Sequence, residues 1–348
     1  MRQSERVAVF AVLAPQGLWS LAWSRLCRDT LGLIALGVVV IYLAVVFAAA
    51  AGWIAKDWSH EAGVNYAPPN GWIFSASPSE DRLPVARESI QVTPVAGVVD
   101  PLAPVIETLR ESRLALAQEP QRLATLPLGA DKWGRDVALK TLKGTQTSFI
   151  VGLLAAFLSV LLGSLLGAYA GYFGGTVDDV LNWIYSTFTA IPYLLLVLAI
   201  AAVLNQKGIS TVILILGLTG WTGVFRLMRA EYMKHRNREY VLAAESIGAS
   251  HARRMFYHIL PNVSHVLLVQ LSLNVVSFMK SEVILSFLGF GVGVDTVSWG
   301  SMLNEAQTEL LLGKWWQLAS ATLAMALLVT AFSVFTDALR DALDPKLK

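Results

Sequence analysis

Six stretches of this chain are long and apolar enough to demand a membrane: Leu31–Trp53, Ser148–Phe173, Trp183–Leu204, Ile209–Leu227, Val263–Gly289 and Trp316–Asp337. A hydrocarbon core of about 30 Å takes about 20 mostly apolar helical residues. Inside it, only helices and closed barrels satisfy their own backbone polar groups. Ile209–Leu227 is the shortest of the six and carries Thr219, Trp221 and Thr222, yet it still reads as a span. Composition agrees, because 15% of the residues are charged where soluble domains have about 25%. The expected fold is therefore an all-α polytopic membrane protein with six transmembrane helices. Leu31–Trp53 ends near the small residues Ala48-Ala49-Ala50, but it exceeds a signal-peptide core of about 7–15 residues and reads as an uncleaved span. Val7–Trp23, broken by Pro15-Gln16-Gly17 and flanked by Arg6 and Arg25, suits a helix lying in the interface; if it crossed, only the location of the extreme N-terminus would change.

Orientation follows from lysine and arginine in the short loops. Arg226, Arg229, Lys234, Arg236, Arg238, Arg253 and Arg254 fall in one loop, Arg2, Arg6, Arg25 and Arg28 precede the first span, and Arg340, Lys346 and Lys348 follow the last. Six spans put all three segments on one face, which is then cytoplasmic, with both termini. The net charge of +2 gives no reason to expect a nucleic-acid partner. The division expected is an interfacial segment 1–30, a first span 31–53, an external segment 54–147, a five-helix core 148–337 and a tail 338–348. Nine of the thirteen prolines lie between Pro68 and Pro127, a composition of turns and extended chain. Leu102–Gln118 has helical spacing within it. The segment reads equally as a linker or as a flap over a transport pathway.

Nothing here signals an enzyme. There is no G-x-x-x-x-G-K-[ST] phosphate loop, H-E-x-x-H or G-x-S-x-G. Cys27 is the one cysteine, which excludes a disulfide scaffold. Four of the five histidines lie in or near the basic loop, where a solvated role outweighs ligation. Within the spans, Gly163, Gly167 and Gly171 form overlapping G-x-x-x-G units that admit a second helix, from this chain or from another subunit. Pro192 removes a backbone donor inside the third stretch and predicts a kink. Lys280 and Glu282 are costly at depth and, two residues apart, point in different directions. Each is open to a pathway role or a structural one.

The basic loop holds the strongest local pattern, Glu239-Tyr240-Val241-Leu242-Ala243-Ala244-Glu245-Ser246-Ile247-Gly248, followed by His258-Ile259-Leu260-Pro261-Asn262. The pattern predicts a short helix capped by Asn237 and closed by Gly248, about 12 Å long. Ala243 and Ala244 are small enough for another surface to sit against the backbone. A helix this regular outside the bilayer is expected to dock something.

These residues resemble the "EAA" signature of bacterial ABC importer permeases, E-A-A-x3-G-x9-I-x-L-P, with Leu242 in place of the glutamate and His258 in place of the isoleucine. Both departures are similar to the dipeptide/oligopeptide branch. So are Leu128-Gly129-Ala130-Asp131-Lys132-Trp133-Gly134-Arg135-Asp136, Gly171-Tyr172-Phe173-Gly174-Gly175-Thr176-Val177-Asp178, and the tail Arg340-Asp341-Ala342-Leu343-Asp344-Pro345. The long external segment and Arg229-Ala230-Glu231 resemble the YejE-like subgroup. The resemblance covers about residues 126–346. It implies a type I ABC importer permease in the bacterial inner membrane, paired with a homologous B-type permease, two cytoplasmic ATPases and a periplasmic substrate-binding protein. It also implies that ATP and magnesium sit on the partners, with no cofactor or metal on this chain. Segment 239–250 becomes the coupling helix, with Glu239, Tyr240, Ala243, Ala244, Gly248, His258, Leu260 and Pro261 at the ATPase contact. The competing class is an ion-coupled transporter acting alone, leaning on Lys280 and Glu282. Inverted repeats of the usual kind are not evident in the sequence, and such a transporter leaves the docking helix without a purpose.

Overall fold

The computed structural model describes residues 23–70, 105–106, 108, 122–293 and 295–343. Among these the chain is helical, and pairing between extended segments is limited to isolated bridges. Helix α1 (Thr30–Ala50), α2 (Val137–Phe173), the continuous run Arg253–Phe287 and α10 (Trp316–Leu343) are each long and apolar enough to cross a bilayer. Two bent pairs complete the set. Helices α3 (Gly175–Thr189) and α4 (Tyr193–Leu204) meet at 84°, and α5 (Ile209–Thr219) and α6 (Thr222–His235) at 40°. Counting each pair once makes six spans. Between α6 and the long run stands α7 (Glu239–Ser246). The run itself is a π-helical stretch, Arg253–Ile259, continuing into α8 (Leu260–Phe287), and α9 (Trp299–Leu311) precedes α10.

Several boundaries depart from those read in the sequence. The helix expected from Ser148 begins at Val137, because Asp136 accepts the Ala138 amide at 2.7 Å and the polar first turns find partners. Lys140, 1% exposed, donates to Glu305 at 2.7 Å and to Gln317 at 3.2 Å. The kink expected at Pro192 is a full break: Pro192 is the N-cap of α4 with ψ 128. A residue before proline is pushed out of the helical region, so α3 has already ended at Thr189. Helix α9 was not anticipated at all. Its signal is Ser298, whose hydroxyl accepts the Ser301 amide while the Ser301 hydroxyl accepts the Ser298 amide, a reciprocal cap. Most of Val7–Trp23, read as interfacial, most of the helix expected over Leu102–Gln118 and the tail beyond Leu343 lie outside the described residues.

The chain divides into two compact units. The smaller, residues 59–138, is built in its described part from bridges such as Glu61 with Arg135 and Gly63 with Leu123. Buried Asp131 organises it by accepting the amides of Trp133 at 2.8 Å and Arg135 at 2.9 Å. Arg122 pairs with Glu61 on its surface.

In the larger unit, α1 lies along α10, with Tyr42 donating to the Ala324 carbonyl at 2.9 Å. Helices α2 and α6 pack backbone against backbone along several turns. A Cβ at Gly163 would stand 2.6 Å from the Trp221 carbonyl oxygen, and one at Gly167 2.6 Å from that of Phe225. One at Gly171 would collide with the Arg229 carbonyl. The three glycines thus form one stripe that follows α6 turn by turn, and their partner is a helix of this chain. In a bilayer, where lipid is as apolar as a leucine, such backbone proximity is held by dispersion and not by the hydrophobic effect. Gly167→Leu is expected to force the helices apart at a cost of about 1–3 kcal/mol and to lower the melting temperature of the detergent-purified protein. Gly223→Ala, where nothing lies within 4 Å of the added carbon, should leave it unchanged, as read by tryptophan fluorescence on heating.

Candidate functional site

The α2–α6 contact sets the position of Tyr232, which is fully buried at the end of α6. Its hydroxyl donates to the Met255 carbonyl at 3.1 Å, and its ring joins Val241, Met255, Ile259 and Val263 in one apolar cluster. Helix α7 is seated on this cluster through Val241, and Ala244 is its other buried residue. Everything else on α7 faces outward, including Glu239, Tyr240, Leu242, Ala243 and Glu245. Ala244 therefore packs against its own chain and does not offer the small surface expected of it.

The ends of α7 are tied down separately. At its start the N-cap is Arg238, with no side-chain cap. Asn237, expected in that role, stands one residue too early. Glu239 in the first turn complements the helix dipole, and the Tyr240 hydroxyl lies 2.8 Å from Nδ1 of His235. Burial raises the Tyr240 phenol above its ordinary value, with Asn262 and Arg238 opposing, so it is protonated at neutral pH. At its end Gly248 takes φ +82. Its amide donates to Glu245 at 2.9 Å and that of Ala249 to Ala244 at 3.0 Å, the paired bonds of a Schellman closure. An L side chain is disfavoured at that φ. Glu245 then pairs with the largely buried Arg254 at 2.6 Å, whose guanidinium lies 5.8 Å from the Tyr172 ring centre.

The product is a short rigid helix whose outward face presents Leu242 and Ile247, the latter 84% exposed. His258 lies in the π-helical stretch, Leu260 opens α8 half-buried and Pro261 sits exposed in its first turn. A local π segment is a frequent mark of functional sites. Sequence reasoning passed over Tyr232, Glu245, Arg254 and Ile247. The i, i+9 separation of Glu245 and Arg254 has no helical signature, although an isoleucine next to a helix-ending glycine in a charged loop was readable.

A second tie holds the turn after α2. Asp178 in the first turn of α3 accepts both Nε and Nη2 of Arg229, at 2.5 and 2.6 Å, and the side-chain amide of Asn182 at 2.8 Å. At depth, Lys280 is exposed and Glu282 is fully buried on another face of α8. Pro192 is exposed at the α3–α4 break. Arg254→Ala is expected to speed amide hydrogen exchange of residues 239–250 severalfold while leaving α2 and α6 protected. Equal protection in the variant would mean that the apolar seat alone holds α7.

Comparison with known proteins places the chain in context. Residues 160–348 match the model described as "Binding-protein-dependent transport system inner membrane component", and residues 17–69 match "N-terminal TM domain of oligopeptide transport permease C". The chain is 39% identical over 229 residues to the dipeptide transport system permease protein DppC of Bacillus subtilis, spanning 64% of this chain and 71% of that one. It is 36% identical over 220 residues to the oligopeptide transport system permease protein OppC of the same organism, spanning 63% and 72%. It is 38% identical over 221 residues to the di/tripeptide transport system permease protein DppC of Pseudomonas aeruginosa, spanning 64% and 72%.

Proposed function

The chain belongs to the family of binding-protein-dependent transport system inner membrane components, and from that membership we propose that it is the C-type membrane subunit of an ATP-driven importer of di- or oligopeptides. The peptide class rests on the names of its relatives. The mechanical reading rests on one observation: α7 is a helix fixed at both ends and along one face, with apolar side chains left outward. In this reading α7 is the coupling helix, seated in a groove of a cytoplasmic ATPase. A homologous permease completes the pathway, a second ATPase serves that permease, and a periplasmic binding protein delivers the substrate. ATP and magnesium act on the ATPases, and this chain performs no catalysis.

The orientation proposed is the one the arginines and lysines favour, with α7 and both termini in the cytoplasm of a bacterium and the chain in its inner membrane. Swinging an access equilibrium from 1:99 to 99:1 takes about 5.5 kcal/mol of differential binding. All of it passes through the contact at α7, so a compliant loop there would dissipate the stroke. The seat on Tyr232 and the Glu245–Arg254 pair supply the stiffness. Leu242, Ala243 and Ile247 supply the contact, with Glu239 and Tyr240 at its edge, and Gly248 lets the chain turn away beneath the partner. His258, Leu260 and Pro261 carry the motion from the loop into α8.

The test is uptake by the complete complex in proteoliposomes, with ATP inside. Gly248→Trp and Ile247→Asp should each leave the chain in the membrane and lower ATP-dependent uptake at least tenfold. Normal uptake by both variants would remove α7 from the coupling role. Accumulation of solute by the purified single chain without ATPases would overturn the importer reading as a whole.

A further inference from the structure

The buried carboxylate of Glu282 is surrounded by hydroxyls. Ser148 of α2 donates to it at 2.7 Å, Ser286 of α8 donates at 2.7 Å, and the Ser298 hydroxyl also reaches it. Each of these serines in turn accepts a backbone amide. Trp299 donates to Ser148 at 3.3 Å, Val292 to Ser286 at 3.3 Å and Ser301 to Ser298 at 3.2 Å. A hydroxyl has one proton and two lone pairs, so a serine that accepts an amide has its proton to give, and all three point to Glu282.

The three amides share a location: all belong to the connection between α8 and α9 or to the first turn of α9. A connection of this kind leaves backbone groups without helical partners, and burial makes an unpartnered amide costly. The three serine oxygens satisfy them, and Glu282 of α8 orients all three hydroxyls by accepting their protons. The indole of fully buried Trp299 adds a bond to the Thr141 carbonyl of α2 at 3.3 Å, and Asn304 donates to the Phe287 carbonyl at 2.6 Å.

We propose that Glu282 is a positioning residue, neither a pathway charge nor a coupling group, which pins the α8–α9 connection and the start of α9 to α2 so that this end of the chain moves as one piece. This deepens the importer reading and rests on it for the consequence in transport, whereas the pin itself is measurable without transport. The role needs an acceptor and does not need a titrating proton. Glutamine keeps one carbonyl oxygen, and a serine facing its amide group can accept instead.

The experiment is hydrogen–deuterium exchange of the assembled complex, read on peptides covering 288–304, alongside ATP-dependent uptake as a function of pH. Ser148→Ala and Glu282→Leu should speed exchange in that segment at least tenfold with α6 unchanged, and Glu282→Leu should lower uptake at least tenfold. Glu282→Gln should keep uptake within about threefold, equivalent to about 0.6 kcal/mol, with the wild-type pH profile. Should Glu282→Leu fail to assemble, Ser148→Ala decides the exchange arm, since it removes one link without burying a misfit. Unchanged exchange in Ser148→Ala would overturn the pin, as would loss of uptake in Glu282→Gln with exchange unaltered, which would make the carboxylate a protonation site. Failure of wild-type uptake to require ATP would instead count against the importer reading and leave the exchange result standing.

Discussion

Backbone-to-backbone contact between α2 and α6 is the constraint from which the rest of the larger unit follows. Gly163, Gly167 and Gly171 bring α2 onto the carbonyls of Trp221, Phe225 and Arg229. Larger residues on that stripe would hold the helices apart. The same apposition sets Tyr232 against Gly171, and Tyr232 in turn holds the Met255 carbonyl and shares an apolar cluster with Val241 of α7. The Asp178–Arg229 pair lies at the same end and ties the turn after α2 to α6. A glycine-lined helix pair thus becomes part of the platform on which α7 is seated.

The two ends of the bundle solve different problems with different chemistry. At the basic end, most of the short helix α7 is exposed, and exposed ion pairs contribute at most about 1 kcal/mol. Its stiffness therefore comes mainly from buried Val241 and Ala244 and from the Gly248 closure, with Glu245–Arg254 as an addition on a largely buried arginine. At the other end the problem is an irregular connection with buried residues such as Val292 and Ser298, and the answer is a carboxylate fed by serine hydroxyls. Lys140 with Glu305 and Gln317 fastens α2, α9 and α10 nearby.

Much of the architecture was legible because a bilayer imposes length and apolarity on every crossing. The six stretches correspond to the four long helices and two bent pairs, and the short helix expected over 239–250 starts at Glu239 as read and ends four residues early, at Ser246. Errors fell where local signals compete with tertiary contacts. Asn237 is a better cap by preference than Arg238, but the Tyr240–His235 contact and the inward turn of Val241 set the register. Pro192 marked a disturbance in the chain, yet an 84° bend depends on where α3 packs, through Tyr185 and Phe188 against Phe225 and Trp221, and not on the proline alone.

What the sequence by itself determined is the membrane class, the apolar stretches that make the candidate crossings, the charge asymmetry and the presence of a short helix in the basic loop. All of these are properties of runs of neighbouring residues. Only the tertiary structure decided which helix the glycines meet, that Ala244 faces inward while Ile247 faces out, and that Glu282 is ringed by Ser148, Ser286 and Ser298. Those facts depend on residues far apart in the chain, brought together by packing that no local period encodes.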